Sequence, residues 1–221
     1  MKTFILFDHD GVLVDTERWY YLANKRALAE LGIELPLPAY LDLMADGVTV
    51  WTLARAAGVD EQHIHAGRAR RDSFYRDSLE AEEIEIPGVV ETLQALSSCC
   101  RMAIITTAKR VDFELIHRHR KIRDYMEFVL TVEDYAHAKP HPEPYLSGLR
   151  RFQAPPAQTL VVEDSARGLK SAVAAGLDCV VVHNDFTASQ DLSAAIRKIK
   201  DFRELPGLLE TFAGDSGGSR D

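Results

Sequence analysis

Cysteine is scarce in this 221-residue chain: Cys99, Cys100 and Cys179 make up its three thiols. An odd number that includes an adjacent pair is no framework for a small disulfide-stapled fold, and it points to reduced thiols in a cytoplasmic protein. Long apolar runs are missing too. No stretch reaches the ~20 residues needed to cross a bilayer. The short run near the start, "TFILF", is cut at once by Asp8, too early for the apolar segment of a secretion signal. Blocks of basic residues are also absent. The 26 Lys and Arg against 34 Asp and Glu leave a formal charge of −8 spread along the chain, which argues against nucleic acid or an anionic membrane as partner. A small anionic substrate is compatible with that charge, because the local field of a cleft can oppose the global sign. There are no internal repeats. What is plentiful is apolar side chain: a hydrophobic fraction of 46% is ample for the core of one domain, or of one domain with a smaller one inserted.

Five short apolar runs rich in β-branched residues read as strands: 3–8, 102–107, 127–131, 159–163 and 178–182. Their nearly continuous apolar character suits strands covered on both faces. Helical stretches at 110–121, 142–152 and 165–175 separate the last four, and that alternation predicts a doubly wound parallel α/β sheet of Rossmann-like type. The gap after the first strand is different. About seventy residues pass before "EIPGVVETLQAL" leads back to the second strand, far more than a crossover needs. Helical patterns fill that gap, beginning with "TERWYYLANKRALAELG". The chain is therefore expected to divide into an α/β core of residues 1–15 and 86–212, an inserted helical cap of 16–85, and a polar, disordered tail of 213–221.

In an open parallel sheet, ligands bind at the carboxyl ends of strands near the point where strand order reverses. The first strand ends in Asp8, His9, Asp10 and Gly11, the second in Thr106 and Thr107, the fourth in Glu163 and Asp164. Lys139 sits in the Pro-rich loop "AHAKPHPEPYL" between the third and fourth strands. Asp8, Asp10 and Asp164 gathered without a cation would repel one another, and all-oxygen carboxylate sites suit Mg²⁺. A Mg²⁺ site that also holds a lysine and a hydroxyl is a site for a phosphoryl group. Gly11 frees the backbone to turn so closely that a main-chain carbonyl can reach the metal.

Four motifs in order, "DHDGVLVDT", "IITTAK", "AKPHPEPYL" and "VVEDSARGLKSAVAAG", resemble those of the haloacid dehalogenase (HAD) superfamily, in the β-phosphoglucomutase-like branch with a helical cap inserted after the first strand. The resemblance implies Asp8 as the nucleophile that forms an aspartyl-phosphate and Asp10 as general acid and then base. It also implies Thr106 as a hydrogen-bond donor to the transferred group and Lys139 as its ion-pair partner. The implied Mg²⁺ ligands are the Asp8 carboxylate, the Asp10 carbonyl and Asp164. Glu163 is an added metal-site helper or simply an acid at a helix start. His9, Gly11, Thr107 and Lys109 complete the expected substrate contacts. For His9 local packing is the competing reading, and for Lys109 a plain surface position. A carboxylate at position 10 favours phosphoryl transfer, since halide departure needs no proton.

The resemblance implies a phosphatase of small phosphorylated metabolites, sugar phosphates among them, and the chain is expected to be a monomer. The rival within the branch is a sugar-phosphate mutase, whose cap would carry a histidine where Tyr20 stands and an arginine near Val50. Those departures favour the hydrolase. A regulatory protein that kept the fold but lost turnover is the second rival, and the intact acidic and lysine set speaks against it. The remaining histidines, His63, His65, His117 and His119, read as surface or partly packed groups, because residues two apart on a helix do not share a face. Trp19, Trp51, Phe74 and Tyr75 read as cap core, and the "RARR" run at 68–71 as a solvated helix face.

Overall fold

A computed structural model describes residues 2–214. They form two compact units. One comprises the chain up to Asp15 and again from Glu85 onward, and the other is Thr16–Ile84.

The first unit is built on a sheet of six parallel strands: β1 (Phe4–Phe7), β2 (Arg101–Ile105), β3 (Phe128–Leu130), β4 (Thr159–Glu163), β5 (Asp178–Val182) and β6 (Arg197–Ile199). Their spatial order is β3-β2-β1-β4-β5-β6. Strand order reverses at β1, which pairs with β2 on one side and β4 on the other, and the carboxyl ends of strands at such a reversal are where sheets of this kind bind ligands. The helices α5 (Val89–Leu96), α6 (Arg110–Ile116), α7 (Glu143–Phe152), α8 (Ala166–Ala174) and α9 (Leu205–Gly214) connect and follow the strands. Leu6, Ile105, Leu130, Val161 and Val181 meet Leu149, Phe152, Leu169 and Ala172 in one buried layer. Burying a side chain of this kind contributes about 1.5–3 kcal/mol.

Strand β6 departs from the sequence reading. Its three residues include two charged, exposed ones and bury only Ile199, so it has no apolar run to betray it, as suits a charged sheet edge. The helix expected over 110–121 stops at Ile116, and a separate 3₁₀ turn follows at Lys121–Tyr125. The tail expected from residue 213 begins inside α9, and residues 215–221 lie outside the described ones.

The second unit contains α1 (Glu17–Ala29), α2 (Leu37–Ala45), α3 (Trp51–Ala56) and α4 (Glu61–Ala81). Trp51, Phe74 and Tyr75 are buried while Trp19 is only half-buried. One expectation fails here. Arg70 stays at the surface with Glu30 at 2.9 Å, but Arg71 is buried and bonds Asp72, Asn24 and the Tyr20 hydroxyl. Ile64, Gly67, Arg71, Phe74 and Tyr75 recur at steps of three and four, so position 71 faces the core whatever its charge.

Candidate active site

The residues singled out from strand ends converge. β1 delivers Asp8, whose backbone N–H still donates to the Val162 carbonyl of β4 at 2.8 Å. The loop after β3 brings Lys139 back across the sheet. Its buried ammonium donates to Asp8 Oδ1 at 2.6 Å, to Glu163 Oε1 at 2.7 Å and to the Ile105 carbonyl at 2.9 Å. Three acceptors match the three protons of a lysine. Burial alone would strip a proton from Lys139, but Asp8 and Glu163 hold its pKa above the ordinary lysine value.

Its loop is clasped at the base. Both Glu143 oxygens accept backbone N–H bonds, from Ala136 at 2.9 Å and His137 at 3.0 Å, and Oε2 also meets His137 Nδ1 at 2.8 Å. His141 lies beside them, and the three residues form an exposed cluster of ligand type. The carboxylate in it already closes the loop.

Glu163, expected as an added helper at the metal site or as an acid at a helix start, is engaged by several donors. Oε1 accepts from Lys139 and, at 2.7 Å, from the Tyr145 hydroxyl. Oε2 accepts from the backbone of Asp164 and Ser165 and from the Ser165 hydroxyl. A carboxylate so fully engaged orients Lys139 and the start of α8. Burial would raise its pKa, yet Lys139 and Tyr145 bring it below the ordinary glutamate value. Room for that carboxylate comes from Gly168, where a Cβ would stand 1.6 Å from Oε1. Gly168→Ala is expected to destabilise the protein by about 2–4 kcal/mol, read from the urea midpoint. An unchanged midpoint would mean that Glu163 is not held against α8.

Asp164 is buried at the end of β4, and Asn184, just past β5, donates to its Oδ2 at 2.8 Å. Gly11 lies against the same carboxylate with φ of +79°, and a Cβ there would come within 2.3 Å of Oδ2. Glycine is thus required twice, for the left-handed turn and for the close approach.

Asp10 Oδ2 meets His9 Nδ1 at 3.2 Å and accepts from Thr106 Oγ1 at 3.3 Å. Thr106 is fully buried, takes the Ala108 N–H on its oxygen, and has its carbonyl capped by the Tyr135 hydroxyl. Thr107 is half-buried in the following loop, and Lys109 is exposed at the start of α6. His9 does not reach outward for substrate. Its ring is fully buried against Phe113 and His117. His117, read as a surface or partly packed histidine, is buried with it. Of the groups that complete the site, Asn184, Tyr145 and Tyr135 were missed. Asn184 obeys the same strand-end rule that flagged Asp164, but "HND" carries no other mark.

The negative groups exceed their cation. Asp8, Glu163 and Asp164 bring carboxylate oxygens within 4.8 Å of one another. Burial, and next the Glu163 charge, push Asp8 up to about 6 in spite of Lys139. A surplus of buried carboxylate oxygens, with Gly11 leaving the cradle open, fits a hard divalent cation such as Mg²⁺. Asp8, Glu163 and Asp164 are the carboxylates close enough to share such an ion, and of these Glu163 already accepts from Lys139, Tyr145, Asp164 and Ser165.

An aspartate pair at the switch point of a doubly wound sheet, joined by a buried lysine and a second acidic strand end, defines a class. The family model for haloacid dehalogenase-like hydrolases matches residues 5–182, and the chain belongs to that family. Its class is that of the haloacid dehalogenase-like hydrolases. Among its relatives, Protein CbbY of Rhodobacter capsulatus is 31% identical, covering 89% of this chain and 92% of its own. Fructose-1-phosphate phosphatase YqaB of Escherichia coli is 28% identical, covering 80% and 95%. Among solved structures, a mutant of CbbY from Rhodobacter sphaeroides in complex with xylulose-(1,5)bisphosphate superposes with a TM-score of 0.79 at 26% identity, covering 93% of this chain and 96% of its own.

Proposed function

We propose that this protein is a Mg²⁺-dependent phosphatase of a small phosphorylated sugar, working through an aspartyl-phosphate on Asp8 in the cytoplasm. The observation that carries this reading is Lys139 bonded to Asp8 at 2.6 Å in a buried patch shared with Asp164. The sugar phosphate class draws on the relatives, one a fructose-1-phosphate phosphatase and another crystallised with a sugar bisphosphate.

Asp8 attacks phosphorus, and the ester oxygen departs with a proton from Asp10. Asp10 then accepts a proton from the water that cleaves the acyl phosphate, which returns both carboxylates to their starting states. Lys139 holds Asp8 in place and neutralises charge on the transferred group, while Thr106 donates to it or to Asp10. Asp8, Asp164 and the Asp10 carbonyl would hold Mg²⁺, whose positive charge would let an anionic ester approach an anionic nucleophile. Residues 1–15 and 86–212 serve as the chemical core, and residues 16–85 as the cap that selects the leaving group. Nothing in the cap favours a mutase. Val50 is buried, and the Tyr20 hydroxyl is taken by Arg71.

The test is phosphate release from a panel of sugar phosphates, nucleotides and phosphoglycolate. Net release from a sugar phosphate is expected with Mg²⁺ and should vanish in EDTA. Isomerisation without net release would replace the reading by a mutase, and inertness across the panel would replace it by a binding protein.

A further inference from the structure

Two buried imidazoles have no part in the chemistry above. His9 is fully buried and His117 is 8% exposed, and they touch through Nε2 atoms 2.9 Å apart. Phe113 closes over both, with ring centroids 5.0 Å from His9 and 4.4 Å from His117. His9 sits between the two aspartates of the first motif, and its Nδ1 lies 3.2 Å from Asp10 Oδ2. His117 is the residue that ends α6.

Two ring nitrogens at hydrogen-bond distance hold one proton between them, and the surroundings decide which carries it. His117 Nδ1 is buried and has no hydrogen-bond partner among the described residues. Had His117 received the bond from His9, its own proton would sit on Nδ1, a buried donor facing no acceptor. That is the rarer and costlier kind of vacancy. The opposite assignment satisfies every donor. His117 Nε2–H donates to His9 Nε2, and His9 Nδ1–H donates to Asp10 Oδ2. Burial, then the neighbouring His9, lower the His117 pKa to about 3, which agrees with a neutral ring.

We propose that His117 and His9 are positioning residues that hold the Asp10 carboxylate in a single orientation through a chain of neutral imidazoles ending on Oδ2. Thr106 Oγ1 donates to that same oxygen at 3.3 Å, so Oδ2 is the fixed end of the carboxylate and Oδ1 is the end that exchanges protons with the reaction. Rotating the carboxylate would break both bonds and leave a buried N–H unpaired. This inference deepens the assignment of Asp10 as acid and base and rests on it. It sets His9 and His117 apart from the groups that touch substrate, so their loss should slow the chemistry and leave binding alone.

The test pairs a spectrum with kinetics, both on the full chain with Mg²⁺. In long-range ¹H–¹⁵N correlation spectra, His9 should show a protonated Nδ1 and a bare Nε2, and His117 the reverse. His117→Leu should lower kcat about tenfold with KM unchanged, whereas His117→Gln, whose amide N–H reaches the same place, should recover most of the loss. A His9 ring protonated at Nε2 overturns the proposal, as does His117→Leu at wild-type kcat, or a loss in KM alone. Should the leucine variant fail to fold, the glutamine variant and the wild-type spectrum decide. If the wild type hydrolyses no ester, the phosphatase reading falls, and the nitrogen assignments alone judge the orientation of Asp10.

Discussion

An Asp8→Asn protein is expected to fold like the wild type and to release no phosphate, with kcat lower by at least about four orders of magnitude. The amide cannot form an acyl phosphate of the same kind, yet it fills the same volume and still accepts from Lys139 through its oxygen. Phosphate release that survives at wild-type level would rule out Asp8 as the nucleophile. The substitution also isolates an electrostatic contribution. Asp8 is pushed up from the usual 3.8 to about 6, by burial first and then by Glu163. A raised carboxyl pKa means that the native state retains a proton which the unfolded chain has released. The contribution of Asp8 to stability is therefore largest below about 4 and is lost as pH rises towards 6. In EDTA, urea denaturation should show the wild-type stability falling relative to Asp8→Asn across that window, and Mg²⁺ should offset the fall at pH 7 more than at pH 5. A flat difference across the window would contradict the charge surplus that suits this site to a cation.

The second large effect belongs to Lys139. Lys139→Ala is expected to cost about 3–5 kcal/mol at pH 7, because it leaves Asp8 and Glu163 buried with no cation between them. The loss should shrink at pH 5, where one of those carboxyls can take up a proton. Activity should fall by about 10²–10³ as the donor to the reacting group disappears. Lys139→Arg is not a rescue, since one ammonium serves Asp8, Glu163 and the Ile105 carbonyl from a single nitrogen, and a planar guanidinium cannot reproduce that fan of bonds. Urea midpoints at the two pH values, with kcat measured in parallel, decide the matter. An alanine variant as stable as wild type at pH 7 would show that the carboxylates are compensated by something other than Lys139.

Much of this was readable from the chain. The strands β1, β2, β4 and β5 are continuous apolar runs, because both faces of a parallel sheet are covered, and such runs stand out against any background. Asp8, Asp10, Thr106 and Asp164 stood out as candidates because they lie where those runs stop, and Lys139 because it lies in the Pro-rich loop between the third and fourth strands. Side-chain neighbours far apart in sequence left no such trace. Asn184 is an ordinary strand-end amide until Asp164 is seen beside it. His117 lies in a polar run, "HRHRKIR", that gives no hint of a buried ring. Arg71 looks like one of a charged group, and its burial follows only once the register of α4 is fixed. Glu163 shows the limit from the other side: its place beside Asp164 left it between a metal-site helper and a helix-start acid, and the donors that engage it arrive from α7, the loop after β3 and the turn into α8.

The backbone around Asp15 and Glu85 has a consequence of its own. Val14 bridges to Glu85 in antiparallel fashion, and to Asp10 in parallel, so the outgoing and returning chains are stitched together before the second unit begins. Once that neck is tied, the α/β framework sees a closed loop of fixed mouth, whatever it encloses. Closure entropy grows only with the logarithm of length, about 0.6 kcal/mol for each doubling. The roughly seventy residues beyond the neck are therefore free to be lengthened, shortened or exchanged at little expense to the platform that carries Asp8.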